Sequence, residues 1–168
     1  MGMRPIFSMA APFGFITFIY YTIVCPYLKF GRKERDKNME IGIRGHEECI
    51  VTKELTAARI GSGALEVFAT PMMLAFMEMA ALRSVQPYLA EGCGTVGTHL
   101  DVSHEAATPL GMRVRFESEL IGIDGKKLIF RVEAYDECGR IGSGTHERFI
   151  ISNDRFMKKT EAKLAAKQ

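Results

Sequence analysis

The sequence of 168 residues has few cysteines, and they lie far apart. Cys25, Cys49, Cys93 and Cys138 include no C-x-x-C pair. Structural zinc sites and disulfide frameworks both need cysteines at close and regular spacings, so this arrangement disfavours both. We therefore expect free thiols in a reducing compartment, with no metal site and no cofactor.

The sequence also lacks an excess of basic charge over most of its length. The net charge is +2, but residues 29–37 and 154–168 each carry five basic and two acidic residues. Together with Arg4 these segments carry +7, which leaves −5 for residues 38–153. An acidic central segment argues against a nucleic-acid groove, so no nucleic-acid partner is expected.

Charge is absent altogether between Arg4 and Lys29, and residues 13–24 are apolar enough to enter a bilayer. As a transmembrane anchor, this segment would be followed by a Lys/Arg cluster that holds the remaining chain on the cytoplasmic side. A cleaved signal peptide is disfavoured because no small-x-small cleavage site precedes the charges. A third interpretation is that Met39 is the true start and the upstream residues are translated leader.

Composition changes sharply near Met39 under all three interpretations. We expect residues 1–38 to be an apolar leader or membrane anchor with a basic linker, and residues 39–168 to form one domain. Membrane contact is expected only through residues 5–28. The domain is expected in the cytoplasm or, if the leader is an anchor, on the cytoplasmic side of the membrane.

The central feature of the domain is a helix predicted from Thr70 to Gly92. Thr70 suits the N-cap position, and Pro71 suits the first helical position, where no N–H is needed. Residues 72–82 are all apolar except Glu78, which is typical of a helix covered by other structure. A carboxylate in such a setting is costly unless it is paired, so Glu78 is either a tied-down structural group or a functional one.

Strand patterns precede and follow this helix in the sequence. Residues 46–56 and 65–69 precede it, and residues 95–103, 112–123, 126–135 and 140–151 follow, before a Lys-rich helix from Asp154. Asp124-Gly125 and Cys138-Gly139 mark turns between the last three strands. In residues 95–103, alternation places Val96, Thr98, Leu100 and Val102 on one face and Thr95, Gly97, His99 and Asp101 on the other. The order of elements predicts an α+β domain with a sheet around one helix.

Several motifs together resemble the fluoroacetyl-CoA thioesterase-like branch of the hot-dog superfamily. They are Phe68-Ala-Thr-Pro71 with Glu78, the stretch from Gly94 to His104, Ala107-Thr-Pro109, and Gly144-Thr-His-Glu-Arg148. The resemblance covers about residues 45–152. It implies an antiparallel sheet wrapped around one long central helix, an acyl-CoA substrate, and a homodimer with active sites at the subunit interface.

The resemblance implies catalytic roles for Thr70, Glu78 and His104, and substrate binding by Gly97 and Arg148. On the residues alone, Thr70 is more often a helix cap than a nucleophile. Glu78 is equally well a structural carboxylate or a functional one, and His104 is equally well an exposed histidine or one that faces a cleft. A backbone N–H at Gly97 could polarise a thioester carbonyl.

Two rival sites remain, namely His99 with Asp101, and His146 as an alternative base. Thr70 and Glu78 are separated by about 12 Å along the helix axis. Either His104 bridges them, or two subunits share the site.

Hydrolysis of a thioester needs an attacking oxygen, a base and donors for the oxyanion. Thr70 or water, His104 with Glu78, and Gly97 can fill these roles. We therefore expect an acyl-CoA thioesterase that releases a small free acid and CoA. The alternative is a non-catalytic acyl-CoA-binding or regulatory module, and a hydratase is disfavoured because no second acid–base pair is present. Nothing in residues 56–65 specifies a fluorinated acyl group.

Overall fold

The structure, a computed structural model, describes residues 38–167. The predicted leader, apart from Asn38, lies outside these residues, and so does Cys25. Within the described range, no helix combines the length and the apolar character needed to cross a bilayer.

The domain is built on one antiparallel sheet of five strands, which lie in the order β1-β3-β4-β5-β2. The strands are β1 (Arg44–Ile50), β2 (Cys93–His104), β3 (Arg113–Asp124), β4 (Lys127–Asp136) and β5 (Gly139–Ser152). The helices are α1 (Ala57–Ile60), α2 (Thr70–Val85) and α3 (Asn153–Ala165), and short 3₁₀ turns span Lys53–Leu55 and Gln86–Tyr88. The α+β prediction, with one long helix against one sheet, is confirmed.

The long meander β3–β4–β5 agrees with the sequence prediction to within one or two residues. Its first turn is Gly125-Lys126, one residue later than the predicted Asp124-Gly125, because Asp124 still pairs with Lys127. Gly125 takes a φ of 58°, and a two-residue hairpin favours such left-handed backbone because it matches the twist of the strands. This tight turn therefore fixes the register of β3 against β4.

Helix α2 packs its apolar side onto the sheet. Phe76 stacks on Phe116 of β3 with the ring centroids 5.0 Å apart, in a core that also buries Met73, Met77, Ala80, Ala81 and Val85. The α-helix ends at Val85 rather than at the predicted Gly92, because Pro87 has no N–H to continue the i→i−4 hydrogen bonds, and the chain continues as the 3₁₀ turn Gln86–Tyr88. The opposite side of α2, which includes Met72, Leu74 and Met79, is only partly covered within this chain.

The prediction that Thr70 caps α2 is wrong. Ala69 occupies the cap position with extended backbone, Thr70 is the first helical residue, and no side chain caps the helix. The Thr70 hydroxyl is instead bonded to His104 across the fold. The hydroxyl is therefore not used to stabilise its own helix.

The segment between β1 and α2 also differs from its prediction. The strand predicted over 46–56 stops at Ile50, because Ile50 pairs with Arg113, the first residue of β3, and no partner strand extends beyond it. The strand predicted over 65–69 is reduced to two isolated bridges, Thr56–Phe68 and Val67–Pro109. The short helix α1 lies between them and was not predicted.

A bulge in β2 overturns the strict alternation predicted for residues 95–103. Gly97 pairs with Arg148 and Leu100 pairs with His146, so Thr98 is an extra residue between the two pairs. Directly opposed residues of an antiparallel pair lie on one face, and Arg148 and His146 alternate normally along β5. Gly97 therefore shares the inner face with Leu100 and with His104, which pairs with Gly142.

Candidate active site

A threonine and a histidine meet where α2 begins and β2 ends. Thr70 is the first residue of α2, His104 is the last residue of β2, and Thr70 Oγ1 lies 2.8 Å from His104 Nδ1. Burial of the imidazole lowers its pKa below the usual value of 6.5. A neutral imidazole at neutral pH can accept the hydroxyl proton, which is the arrangement needed to activate an oxygen nucleophile.

The Thr70–His104 pair opens into a cavity of about 530 Å³. Its wall is mostly apolar and includes Val67, Phe68, Pro71, Leu74 and Ala107. Thr70 is solvent-exposed at its edge. The cavity therefore combines a reactive hydroxyl with space and apolar surface for a small organic group.

The second His104 nitrogen is also notable. His104 Nε2 is buried, and no group among residues 38–167 forms a hydrogen bond with it. Buried polar atoms in native proteins nearly always have a partner, so this nitrogen marks a place that a substrate, a water molecule or another subunit can complete.

Glu78 lies in a separate cluster further along α2. Its Oε1 is 3.6 Å from His146 Nε2, and its side chain is 30% exposed. A Cβ atom on Gly97 would collide with Glu78 Oε1 and would lie 3.1 Å from His146 Cε1. The missing side chain at Gly97 therefore makes room for the Glu78 carboxylate against β2.

Arg148 is buried beneath this carboxylate, with 5% of the residue exposed. Its Nε and Nη2 donate to Thr95 Oγ1 and to the Thr95 carbonyl at 2.8 and 2.9 Å. Its Nη1 lies 3.4 Å from the Glu78 carbonyl and 3.1 Å from His146 Nε2. These bonds join β2, β5 and α2 at one point, so Arg148 fixes the backbone from which Glu78 projects.

The structure places the five predicted site residues in two groups on one face of the sheet. Thr70 and His104 form one group, and Glu78, Gly97 and Arg148 form the other. Within residues 38–167, no hydrogen bond or ion pair joins His104 to Glu78. His104 therefore makes no bond within this chain that links Thr70 to Glu78.

The rival pair His99 and Asp101 lies elsewhere. Both residues are exposed and pair with Glu147 and Thr145 on the outer face of the sheet. Only the His99 carbonyl reaches inward, where it bonds with His146 Nδ1 at 2.9 Å. Regular alternation from His99 onwards already places His99 and His104 on opposite faces, and the bulge at Thr98 moves Gly97 from the predicted face of His99 to that of His104.

Two contributors to the second group were missed or misjudged from the sequence. Thr95 anchors Arg148, and no local pattern distinguishes it from an ordinary strand threonine. His146 was considered only as a rival base, although it is fully buried beside Glu78. The Gly144-Thr-His-Glu-Arg148 motif contained the signal, because residues 146 and 148 of one strand point to the same side.

The three cysteines among the described residues lie outside both groups of the site. Cys49, Cys93 and Cys138 are free thiols. Burial, and secondarily the charge of Glu48, raises the pKa of Cys49 to about 12, so this thiol is unreactive at neutral pH. Within the described residues, no cluster of three or more His, Cys, Asp or Glu side chains is arranged to hold a metal ion.

Comparison with known proteins places this geometry in a family. Residues 29–154 match the family described as FlK, fluoroacetyl-CoA-specific thioesterase. The fluoroacetyl-CoA thioesterase of Streptantibioticus cattleyicolor is 46% identical over 101 residues, which are 60% of this chain and 73% of that protein.

Solved structures agree with the sequence match. A structure of the fluoroacetyl-CoA thioesterase FlK superposes with a TM-score of 0.72 at 38% identity and covers 76% of this chain and 98% of its own. A thioesterase superfamily member from Thermus thermophilus gives a TM-score of 0.70 at 29% identity, over 78% of this chain and 99% of its own. A hot-dog-like protein from Thermanaerovibrio acidaminovorans shares the fold, with a TM-score of 0.68 at 24% identity. The chain has the hot-dog fold and belongs to the fluoroacetyl-CoA-specific thioesterase family.

Proposed function

We propose that this protein is an acyl-CoA thioesterase that hydrolyses a small acyl-CoA to the free acid and CoA. The observation that carries the proposal is the 2.8 Å contact between Thr70 Oγ1 and His104 Nδ1 at the mouth of an apolar cavity. The similarity to fluoroacetyl-CoA thioesterases supports the same activity. The proposal covers small acyl groups as a class.

In this proposal His104 is the general base. It takes the proton of the Thr70 hydroxyl, or of a water molecule in the same place, while the oxygen attacks the thioester carbonyl. The carbonyl oxygen becomes an oxyanion, for which the backbone N–H of Gly97 of the partner subunit is the proposed donor, because Gly97 lies with Glu78 in the second group. The C–S bond then breaks, and the CoA thiolate takes the proton from His104 and leaves as the thiol. If Thr70 was the nucleophile, water must then hydrolyse the acyl ester in a second step.

Glu78 is proposed to accept or orient a proton of the attacking group, and Arg148 is proposed to bind the substrate. Arg148 is buried, and its guanidinium is already bonded to Thr95, His146 and the Glu78 carbonyl. We therefore propose that Arg148 acts on substrate binding through the shape that it gives to the site. The proposed location is the cytoplasm, where acyl-CoA thioesters and reduced thiols coexist.

The catalytic test is a hydrolysis screen of short and medium acyl-CoA thioesters with detection of the free CoA thiol. We expect turnover of at least one small acyl-CoA by the full chain. The matched control is the triple variant Thr70→Ala, Glu78→Gln and His104→Ala. Binding of acyl-CoA without turnover above that variant would support the non-catalytic module instead.

The proposal also includes a homodimer in which each site is shared. Strand β2 is an edge of the sheet within the described residues, and it carries Gly97 and His104. An open edge of twelve residues is suited to pairing with a second copy. Such pairing would bring Glu78 of the partner subunit towards Thr70 and His104, and would cover the half-buried side of α2.

Light scattering at micromolar concentration tests the dimer, and a monomer mass would contradict it.

Mixing two inactive variants tests the sharing directly. If His104 of one chain works with Glu78 of the partner subunit, a heterodimer of His104→Ala and Glu78→Gln chains contains one intact site. Random exchange of subunits should then restore roughly a quarter of the wild-type rate. A site built within one chain would give no recovery, because every site would lack one of the two residues.

A further inference from the structure

A buried histidine lies beside Glu78 in the second group of the site, and the reaction proposed above does not use it. His146 is 0% exposed and lies on β5, opposite Leu100 of β2 and Phe130 of β4. Its Nδ1 is 2.9 Å from the His99 carbonyl, and its Nε2 is 3.1 Å from Arg148 Nη1. Both ring nitrogens therefore have protein partners.

These partners define the protonation state of the ring. A carbonyl can only accept a hydrogen bond, so Nδ1 carries the proton. A guanidinium can only donate, so Nε2 presents its lone pair to Arg148. Burial and the Arg148 charge lower the pKa of His146, against the opposing effects of the His99 carbonyl and Glu78, which agrees with a neutral ring. A neutral imidazole with both nitrogens engaged cannot act as the general base.

The ring nevertheless touches the carboxylate that the reaction needs. His146 Nε2 is 3.6 Å from Glu78 Oε1, and the ring and the carboxylate meet where a Gly97 side chain would stand. Because Nε2 carries no proton, it does not occupy the carboxylate with a hydrogen bond. The contact restricts the position of Glu78 and leaves its oxygens free to accept a proton.

We propose that His146 is a positioning residue for Glu78. The His99 carbonyl and the Arg148 guanidinium lock the ring, and the ring with Gly97 forms a slot that holds the Glu78 carboxylate in its working place. The flexible glutamate side chain would otherwise populate several rotamers. This inference rests on the proposed thioesterase function, since the role of Glu78 comes from it.

A double-mutant cycle on the full chain distinguishes positioning from a merely structural role. We expect His146→Leu to lower kcat by roughly 10- to 100-fold with little change in KM, because a small misplacement of a reacting group has effects of this size. In a Glu78→Gln background the same change should lower kcat little further, since both changes act through one carboxylate. A merely structural role would give the same factor in both backgrounds, and that result would overturn the proposal.

Loss of stability is controlled with Val114→Ala, a buried change on β3, which pairs with β1 and β4 and not with the strands that carry His104 and His146. This variant should melt at a lower temperature and keep its kcat. If His146→Leu does not fold, His146→Gln and His146→Asn replace it. Gln places a polar group near the position of Nε2 and Asn near that of Nδ1, so Gln should retain more kcat than Asn.

The outcomes separate the inference from the function on which it rests. If wild-type protein hydrolyses no acyl-CoA, the proposed function fails. If wild-type protein is active but His146→Leu keeps its kcat within about two-fold, or Asn retains as much kcat as Gln, the positioning role fails alone.

Discussion

The two groups of the site differ in how completely the surrounding chain satisfies them. Thr70 is exposed and His104 is half-buried, with one ring nitrogen that has no partner among residues 38–167, whereas Arg148 and His146 are buried and hydrogen-bonded to neighbouring groups. An open pair can take up a substrate and exchange a proton with it. A closed cluster holds its neighbours in place, so Arg148 is expected to act on the substrate through the shape of the site. The difference separates the residues that are expected to react from those that are expected to position them.

The largest expected effect comes from removing the reacting histidine. His104→Ala should lower kcat by roughly 10²–10⁴-fold, the usual contribution of a positioned proton transfer. Thermal stability should change little, because the side chain is half-buried and its Nε2 makes no bond within the described chain. Steady-state kinetics and a melting curve measure both quantities.

The control for this variant is His99→Ala, on the outer face of the same strand. It should stay within a few-fold of wild type, since only the backbone carbonyl of His99 contacts the site. Loss of turnover in His99→Ala with normal turnover in His104→Ala would reverse the assignment.

Thr70 separates the two possible nucleophiles. If its hydroxyl attacks, Thr70→Ala should lower kcat by about as much as His104→Ala, because a nucleophile and its base act as a unit. Thr70→Ser should retain activity. Neither change should lower helix stability appreciably, because Thr70 does not cap α2. Wild-type rates in Thr70→Ala would identify water as the attacking group.

Gly97→Ala tests the closed cluster, and its expected effect is smaller. The new Cβ would meet Glu78 Oε1 and displace the carboxylate. We expect kcat to fall by roughly 10- to 100-fold, from misplacement of one group. Gly122→Ala is the matched strand control, because its Cβ would meet only the flexible side chain of Ile129 at 3.3 Å. Equal kinetics in the two variants would show that the position of Glu78 does not matter.

The smallest effect is expected from the N-terminal segment. A chain that begins at Met39 should fold cooperatively and keep its activity, because it retains every strand and helix described here. Met39 itself packs against the core, so a later start would be harmful. Aggregation of this shortened chain in buffer without detergent would show that the domain needs the residues before Met39.

Much of the fold was predictable because its signals are local. Asp124-Gly125 and Cys138-Gly139 mark the hairpins, and the apolar run with Pro71 marks the central helix. The structure of residues 51–69 was not predictable. Whether these residues form a strand depends on where β3 begins, and β3 lies far away in the sequence.

The candidate site was predictable only in part. The resemblance named the five residues, and the meeting of Thr70 with His104 agrees with the roles it implied. The contact of Glu78 with His146 within one chain was missed, because a carboxylate on a helix has no preferred partner until the sheet is assembled. The bonds that bury Arg148 join three elements that lie far apart in sequence, so no local pattern specifies them.

The bulge at Thr98 gives β2 one position at which its length can change without changing the face of any paired residue. Thr98 is exposed, so many side chains should be tolerated there. Deleting it would leave Gly97 opposite Arg148 and His104 opposite Gly142 in a regular ladder, so His104 would stay on the inner face of the sheet. Deleting a paired residue beyond the bulge, such as Ser103, would instead turn His104 towards the outer face. The Thr98 deletion variant should therefore keep more activity than the Ser103 deletion variant.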